Sequence, residues 1–109
     1  MESTANARIL SESETDRGWL YRIELTPCSE GAPEAAAVRI DLTFAFQDHE
    51  DIVGGGVPPS VLASSAAGVL AQEWDRFSGP DGAPSRVDLS IARRLVPEFV
   101  ERVRAGLTR

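Results

Sequence analysis

Residues 19–26 (WLYRIELT) and residues 38–47 (VRIDLTFAFQ) decide the fold of this chain. In both stretches apolar side chains alternate with others, which is the period-2 pattern of a β-strand with one buried face. The loop between them is short, so the two strands should pair antiparallel. Matching their apolar faces predicts four pairs: Trp19 with Phe44, Tyr21 with Leu42, Ile23 with Ile40, and Leu25 with Val38. A register shifted by two residues would keep the same faces.

Residues 7–14 (ARILSESE) could form a third strand ahead of the turn-like residues 15–18, and the sequence leaves this alternative open. Residues 1–6 are small and polar, and we expect them to be disordered. Without the third strand the sheet would be a lone hairpin, which is marginal in water unless a second chain completes it. A two-stranded sheet would therefore favour dimerisation.

One long helix is predicted after the sheet. Pro58 and Pro59 suit the start of a helix, where their missing N–H groups do no harm. The predicted helix runs from about Pro59 to Phe77. Apolar residues recur along it at three- and four-residue spacing and form a face for the sheet: Val61, Leu62, Ala66, Val69, Leu70, Trp74 and Phe77.

The remaining residues predict one or two short helices. Asp88 or Ser90 could cap a helix. Pro97 either kinks that helix or begins a second one that ends at Gly106. The predicted fold class is therefore α+β, as a single domain over residues 1–109. It has a small antiparallel sheet of two or three strands packed against a long helix, followed by one or two C-terminal helices.

The composition indicates a chain that works inside a cell. Cys28 is the one cysteine, so no internal disulfide can form, and we interpret it as an incidental thiol in a loop. The apolar stretches are far shorter than a membrane span, and the N-terminus lacks the features of a signal peptide. The expected location is a reducing cytoplasm. All eleven basic residues are Arg, which together with the Ala and Gly content indicates a GC-rich, bacterial coding sequence.

Charge is distributed unevenly along the chain. The formal net charge is -6, but residues 1–85 carry five Arg against fourteen acidic residues, whereas residues 86–109 carry six Arg against three. An acidic body argues against binding to nucleic acid, because phosphate neutralisation supplies most of that affinity. The basic C-terminal part could contact an acidic partner or the body itself. Its candidate partner-binding residues are Arg93 and Arg94.

The segment 48–57 (DHEDIVGGGV) is predicted to be a loop at the exit of the strongest strand. Its side chains include carboxylates and the one imidazole of the chain, which are the groups that a divalent metal or acid–base chemistry requires. The candidate metal ligands are Asp48, His49, Glu50 and Asp51. Against a metal, four consecutive side chains point in different directions, and no second ligand pair at a recognised spacing occurs in the sequence.

Gly54 to Gly56 precede the predicted helix, where a Gly-rich loop can cradle phosphate. Pro58 and Pro59 remove two N–H donors at that place, and the neighbouring carboxylates repel an anion. No nucleotide or other cofactor is therefore predicted. We interpret the segment as a hinge or wide turn, with Gly54 and Gly55 as candidate partner-binding residues.

These features favour a small intracellular protein-interaction or regulatory module of unknown process, and they argue against an enzyme. The module would bind a protein partner, or itself as a homodimer, through a sheet edge, the Arg-bearing tail or the segment 48–57. Two alternatives stay open. One is a small metal-dependent enzyme or metal-binding protein centred on residues 48–51. The other is an acidic inhibitor or antitoxin-like protein that covers a basic surface.

Overall fold

The computed structural model describes residues 7–26, 37–54, 56–77 and 84–107. The first three strands of these residues form an antiparallel meander, and a fourth strand lies parallel to the third. Together they form a mixed sheet in the order β1-β2-β3-β4: β1 (Ala7–Glu14), β2 (Gly18–Leu25), β3 (Val38–Ala45) and β4 (Arg86–Asp88). The predicted α+β class is therefore confirmed.

Four α-helices accompany the sheet in the described part of the chain: α1 (Phe46–Ile52), α2 (Pro59–Gln72), α3 (Leu89–Leu95) and α4 (Phe99–Leu107), with a 3₁₀ turn (Trp74–Arg76) after α2. Among the residues that the structure describes, no helix is long and apolar enough to cross a membrane. The expected disorder of residues 1–6 and the interpretation of Cys28 concern residues outside the described ranges.

The register between β2 and β3 is the one predicted from the apolar faces. Trp19 pairs with Phe44, and the three other predicted pairs follow from it: Tyr21 with Leu42, Ile23 with Ile40, and Leu25 with Val38. A slip by one residue would move every apolar side chain to the opposite face. The alternation of large apolar residues therefore excludes a slip by one residue.

The third strand that the sequence left open is present as β1, which pairs antiparallel with β2. A register shift between Ile9 and Ser11 marks a bulge in β1. The turn into β2 is held by the Thr15 hydroxyl, which accepts a hydrogen bond from the Gly18 amide at 3.0 Å. Only glycine fits at residue 18, because a Cβ there would lie 2.0 Å from the Phe44 carbonyl oxygen.

The prediction of a purely antiparallel sheet of two or three strands is wrong in detail, since β4 adds a fourth strand in parallel orientation. β4 has only three residues, too few to show a period-2 pattern. It pairs with β3 at Asp41, Leu42 and Thr43, which lie far away in the sequence. Because β4 pairs with residues so distant in the sequence, the residues around it show no pattern that predicts a strand.

The prediction that residues 48–57 form a loop is also corrected, because residues 46–52 form α1. Phe46 continues the alternation of β3 in the sequence, yet it is the first residue of the helix. α1 buries only His49 and Ile52. One pair of buried residues is too little to produce a recognisable helical period.

The single long helix of the prediction is in fact α2 followed by the 3₁₀ turn, since the α-helix ends at Gln72 rather than Phe77. Two C-terminal helices are present, and Asp88 caps the first of them. Pro97 lies between these helices. The next residue, Glu98, has φ 63°, a left-handed conformation that ends the turn before α4.

The core lies between one face of the sheet and the inner sides of the helices. It includes the sheet residues Tyr21, Ile23, Leu25, Ile40, Leu42 and Phe44, and the helix residues Leu62, Leu70, Leu89, Phe99 and Val103. Burial of each such large side chain stabilises the fold by about 1.5–3 kcal/mol. Val61, predicted to face the sheet, is instead 42% exposed.

Candidate functional site

His49, the imidazole of the predicted metal site, points into the protein. It is 7% exposed, and its ring centroid lies 5.2 Å from that of Trp19. The Nε2 atom lies 2.5 Å from the Val57 carbonyl oxygen. Because a carbonyl oxygen only accepts, Nε2 carries the hydrogen and donates it. His49 therefore connects α1 to the chain segment that leads into α2.

The three carboxylates beside His49 do not converge. Asp48 forms an ion pair with Arg93 of α3 at 3.3 Å, Asp51 accepts a hydrogen bond from Gln47 at 2.9 Å, and Glu50 is exposed. Across the described ranges, no group of three or more His, Cys, Asp or Glu side chains is arranged to hold a metal ion. The contacts of Asp48 and His49 join α1 to α3 and to the segment that leads into α2.

Gly54 ends α1. Its φ is 76°, and its amide donates to the carbonyl oxygens of Glu50 at 3.1 Å and His49 at 3.2 Å. A left-handed residue that satisfies the last carbonyls is the usual end of an α-helix and favours glycine. Gly55, the other candidate in this segment, lies outside the described residues.

The Arg side chains of the C-terminal part mostly bind the body of the same molecule. Arg93 pairs with Asp48, and Arg102 donates to Glu73 at 2.6 Å. Arg104 donates to the Ile52 carbonyl oxygen at 2.7 Å, at the C-terminal end of α1. Arg94 is exposed and forms no ion pair with another described residue. Both arginines predicted to bind a partner are exposed, and Arg94 is the one without an ion pair to another described residue.

A groove of about 710 Å³ lies between α2, α4 and β1. Ile9 lines it from β1, and α2 contributes a side made mainly of small hydroxyl and apolar residues. The described residues that line it are Ile9, Ser60, Val61, Ser64, Ser65, Gly68, Val69, Gln72, Arg102, Ala105, Gly106 and Leu107. This volume suits side chains of a peptide or a small ligand.

The seam between α2 and α4 forms one wall of the groove. The Ser65 hydroxyl donates to the Val103 carbonyl oxygen at 2.8 Å. A Cβ on Gly106 would lie 2.6 Å from the Ser65 Oγ, so the two helices approach closely here. The small residues of α2 therefore allow α4 to pack directly against it.

Arg102 supplies the one cationic group among the described residues that line the groove. Its guanidinium donates to Glu73 and to the Gln72 side chain. Hydrogen bonds from Arg102 and Arg76 hold the pKa of Glu73 below its ordinary value. Glu73 thus stays ionised and holds the Arg102 guanidinium in an ion pair that it shares with Arg76.

The groove borders the free edge of the sheet. β1 is the first strand in the order, so one side of its backbone has no strand neighbour among the described residues. Leu10, next to Ile9 in the chain, is 37% exposed, and Val61 is 42% exposed. A groove with an exposed apolar side chain, next to a strand edge that has no neighbouring strand, is a feature of peptide-binding surfaces.

Sequence reasoning included a sheet edge among the candidate surfaces but did not predict this groove. The sequence feature that corresponds to the groove is a second face of α2, where Ser60, Ser64 and Ser65 recur at helical spacing. Serines at this spacing do not indicate a binding site, because serine is common on the exposed faces of helices. Only the packing of α4 shows that this face lies in a concave surface.

Comparison with known proteins finds no matching family model, no matching curated protein and no matching solved structure.

Proposed function

We propose that this chain is a small protein-interaction or regulatory module, which binds an extended segment of a partner protein along β1 and in the adjacent groove. The observation that supports it is the position of β1. This eight-residue strand ends the sheet and lies beside a groove that Ile9 and Val61 line. An added strand would gain backbone hydrogen bonds, and the groove would accept its side chains.

The groove chemistry agrees with a peptide ligand. Its lining combines serine hydroxyls, which exchange hydrogen bonds with a peptide, and aliphatic groups, which favour apolar side chains. The Arg102 guanidinium is engaged by Glu73 and Gln72, so its hydrogen bonds are directed within the protein rather than at a ligand. A peptide also explains why Val61, an exposed apolar residue, lines the groove.

The test compares two matched substitutions, Val61→Glu and Ile91→Glu. Both residues are third in their helices, α2 and α3, and they are 42% and 43% exposed. A new carboxylate in the first helical turn is tolerated or mildly stabilising. Both variants should therefore fold, which circular dichroism and thermal unfolding check. Only V61E places a charge at the groove.

Tagged wild-type protein, V61E and I91E are purified from cells that naturally produce the chain, at moderate salt and with nuclease added, and bound proteins are quantified by mass spectrometry. We expect wild type and I91E to recover one stoichiometric partner. V61E should recover at most about one tenth of that amount of partner, since burying an unpaired charge weakens an interface. Equal recovery with V61E, or selective loss with I91E, would move the site away from the groove. A bare wild-type chain would contradict the proposal.

A further inference from the structure

We propose that the partner segment accepted at β1 is cationic, with Lys or Arg at two alternate positions opposite Glu12 and Glu14; this inference rests on the proposed function. Glu12 pairs with Tyr21 across the sheet and Glu14 pairs with Trp19. Both carboxylates therefore lie on the side of the sheet that the helices pack against. They remain exposed, because they belong to the edge strand.

Glu12 and Glu14 differ from the charges on the opposite face of the sheet. There, Arg8 and Arg39 both pair with Glu24, and Arg22 pairs with Asp41. Glu12 and Glu14 form no ion pair with any other described residue. The open edge thus carries uncompensated negative charge.

The Glu12 carboxylate is oriented by the core. The hydroxyl of fully buried Tyr21 donates to Glu12 Oε2 at 3.0 Å. A neutral phenol positions a carboxylate but leaves its charge in place. A cation on an added strand would therefore meet an oriented acceptor.

A second copy of the chain is a poor occupant of this edge. The bulge between Ile9 and Ser11 leaves Ser11 to Glu14 as the regular stretch. On the face that carries Glu12, this stretch offers only the two glutamates. A two-fold symmetric antiparallel pairing of two copies keeps the helix-covered faces on the same side, so within this stretch it places glutamate opposite glutamate. Like charges directly opposite destabilise a pair of strands. A strand with cations at alternate positions reverses the sign of that interaction.

The probe is an eight-residue peptide of alternating Thr and Lys, titrated into ¹⁵N-labelled full-length protein, with a Thr–Gln peptide as its neutral match. We expect the Thr–Lys peptide to shift the amide signals of Ser11 to Glu14 and to bind more weakly as salt rises from about 0.02 M to about 0.3 M. The variant E12Q/E14Q should weaken binding about fivefold, because each opposite-charge pair contributes modestly. The amide oxygen that replaces the Glu12 carboxylate still accepts the Tyr21 hydrogen bond, so the fold is kept.

The control is E50Q/E101Q, which removes two exposed carboxylates from α1 and α4 and should leave the affinity unchanged. Equal binding of the two peptides, or an affinity that E12Q/E14Q leaves unchanged, would overturn the cationic partner and leave the docking edge standing. Absence of any shift in Ser11 to Glu14 would also overturn the inference. The comparison of V61E with I91E tests the proposed function independently of all these outcomes.

Discussion

Tyr21 is the residue whose chemistry the fold alters most visibly. Its ring is fully buried and stacks on Phe44 with the centroids 5.7 Å apart. Burial raises the pKa of the Tyr21 phenol well above its ordinary value of 10.0, and the hydrogen bond to Glu12 and the negative charge of Glu12 raise it further. The phenol therefore stays protonated in the folded protein under conditions in which the unfolded chain would ionise.

This raised pKa predicts a loss of stability in alkali. A group whose pKa is raised on folding contributes stability that is present below the unfolded value of 10.0 and is lost as pH rises above it. The free energy of unfolding of wild type should therefore fall above pH 10.0. That of the Tyr21→Phe variant should change much less over the same pH range. At neutral pH, Y21F should cost about 1 kcal/mol for the lost hydrogen bond. Urea unfolding of both proteins at neutral pH and above pH 10.0 measures these effects.

The alkaline measurement is unusually clean in this chain, which contains one Tyr and whose basic residues are all Arg. No Lys titrates in the same range, and Arg stays charged. A parallel decline of wild type and Y21F would contradict the assignment to Tyr21.

At the scale of elements, Asp88 fastens β4 to the rest of the fold. Its Oδ2 accepts from the Thr43 hydroxyl of β3 at 2.7 Å, and its Oδ1 accepts from the Ser90 amide at 2.9 Å. One side chain thus joins β4 to β3 and caps α3. The three-residue β4 depends on it, because so short a strand forms few ladder hydrogen bonds.

Replacement of Asp88 by Ala should lower the free energy of unfolding by about 2 kcal/mol, from the lost cap and the unpaired Thr43. Burial acts to raise the pKa of Asp88, but the hydrogen bonds from Thr43 and Ser90 and the nearby Arg86 outweigh it, so the pKa is lowered from 3.8. This stabilisation is present above the ordinary value and is lost as pH falls below it. D88A should therefore show a weaker acid dependence in urea unfolding than wild type.

Asp75→Ala serves as the control for Asp88, since Asp75 is exposed and lies in the 3₁₀ turn away from β4. A D75A variant as destabilised as D88A would show that loss of a carboxylate, rather than loss of the β3–β4 link, causes the effect.

The elements that the sequence predicted well are those whose stabilisation is periodic. β2 and β3 bury every second side chain, so their existence, and their register to within a shift of two residues, could be predicted from Tyr21, Ile23, Ile40 and Leu42. β4 and α1 are short and depend on distant partners, so local patterning could not show them. The groove was missed for a related reason: serines on α2 acquire their position in it only when α4 packs beside them.

At the scale of the whole molecule, the buried residues of strands and helices belong to one cluster. This arrangement predicts a single cooperative unfolding transition. The two tryptophans are suitable reporters. Trp19 contacts Phe46 and His49 beside α1, whereas Trp74 stacks on Phe77 after α2.

The single-tryptophan variants W19F and W74F test this cooperativity. In each variant, the urea midpoint from the remaining tryptophan should coincide with the midpoint from far-ultraviolet circular dichroism. Each variant is compared with itself, so the stability lost by the substitution does not affect the result. A fluorescence midpoint displaced from the circular dichroism midpoint would indicate two units that unfold separately.

The late position of α4 in the chain has a consequence for synthesis on the ribosome. The meander of β1 to β3 is complete by residue 45, whereas the groove wall is made from residues 102–107. A nascent chain that has reached only α2 displays the apolar sheet without a finished groove, and such exposed surfaces attract chaperones and aggregation. Translation order therefore sets when the groove forms: its wall is complete only after α4 has been synthesised and has docked.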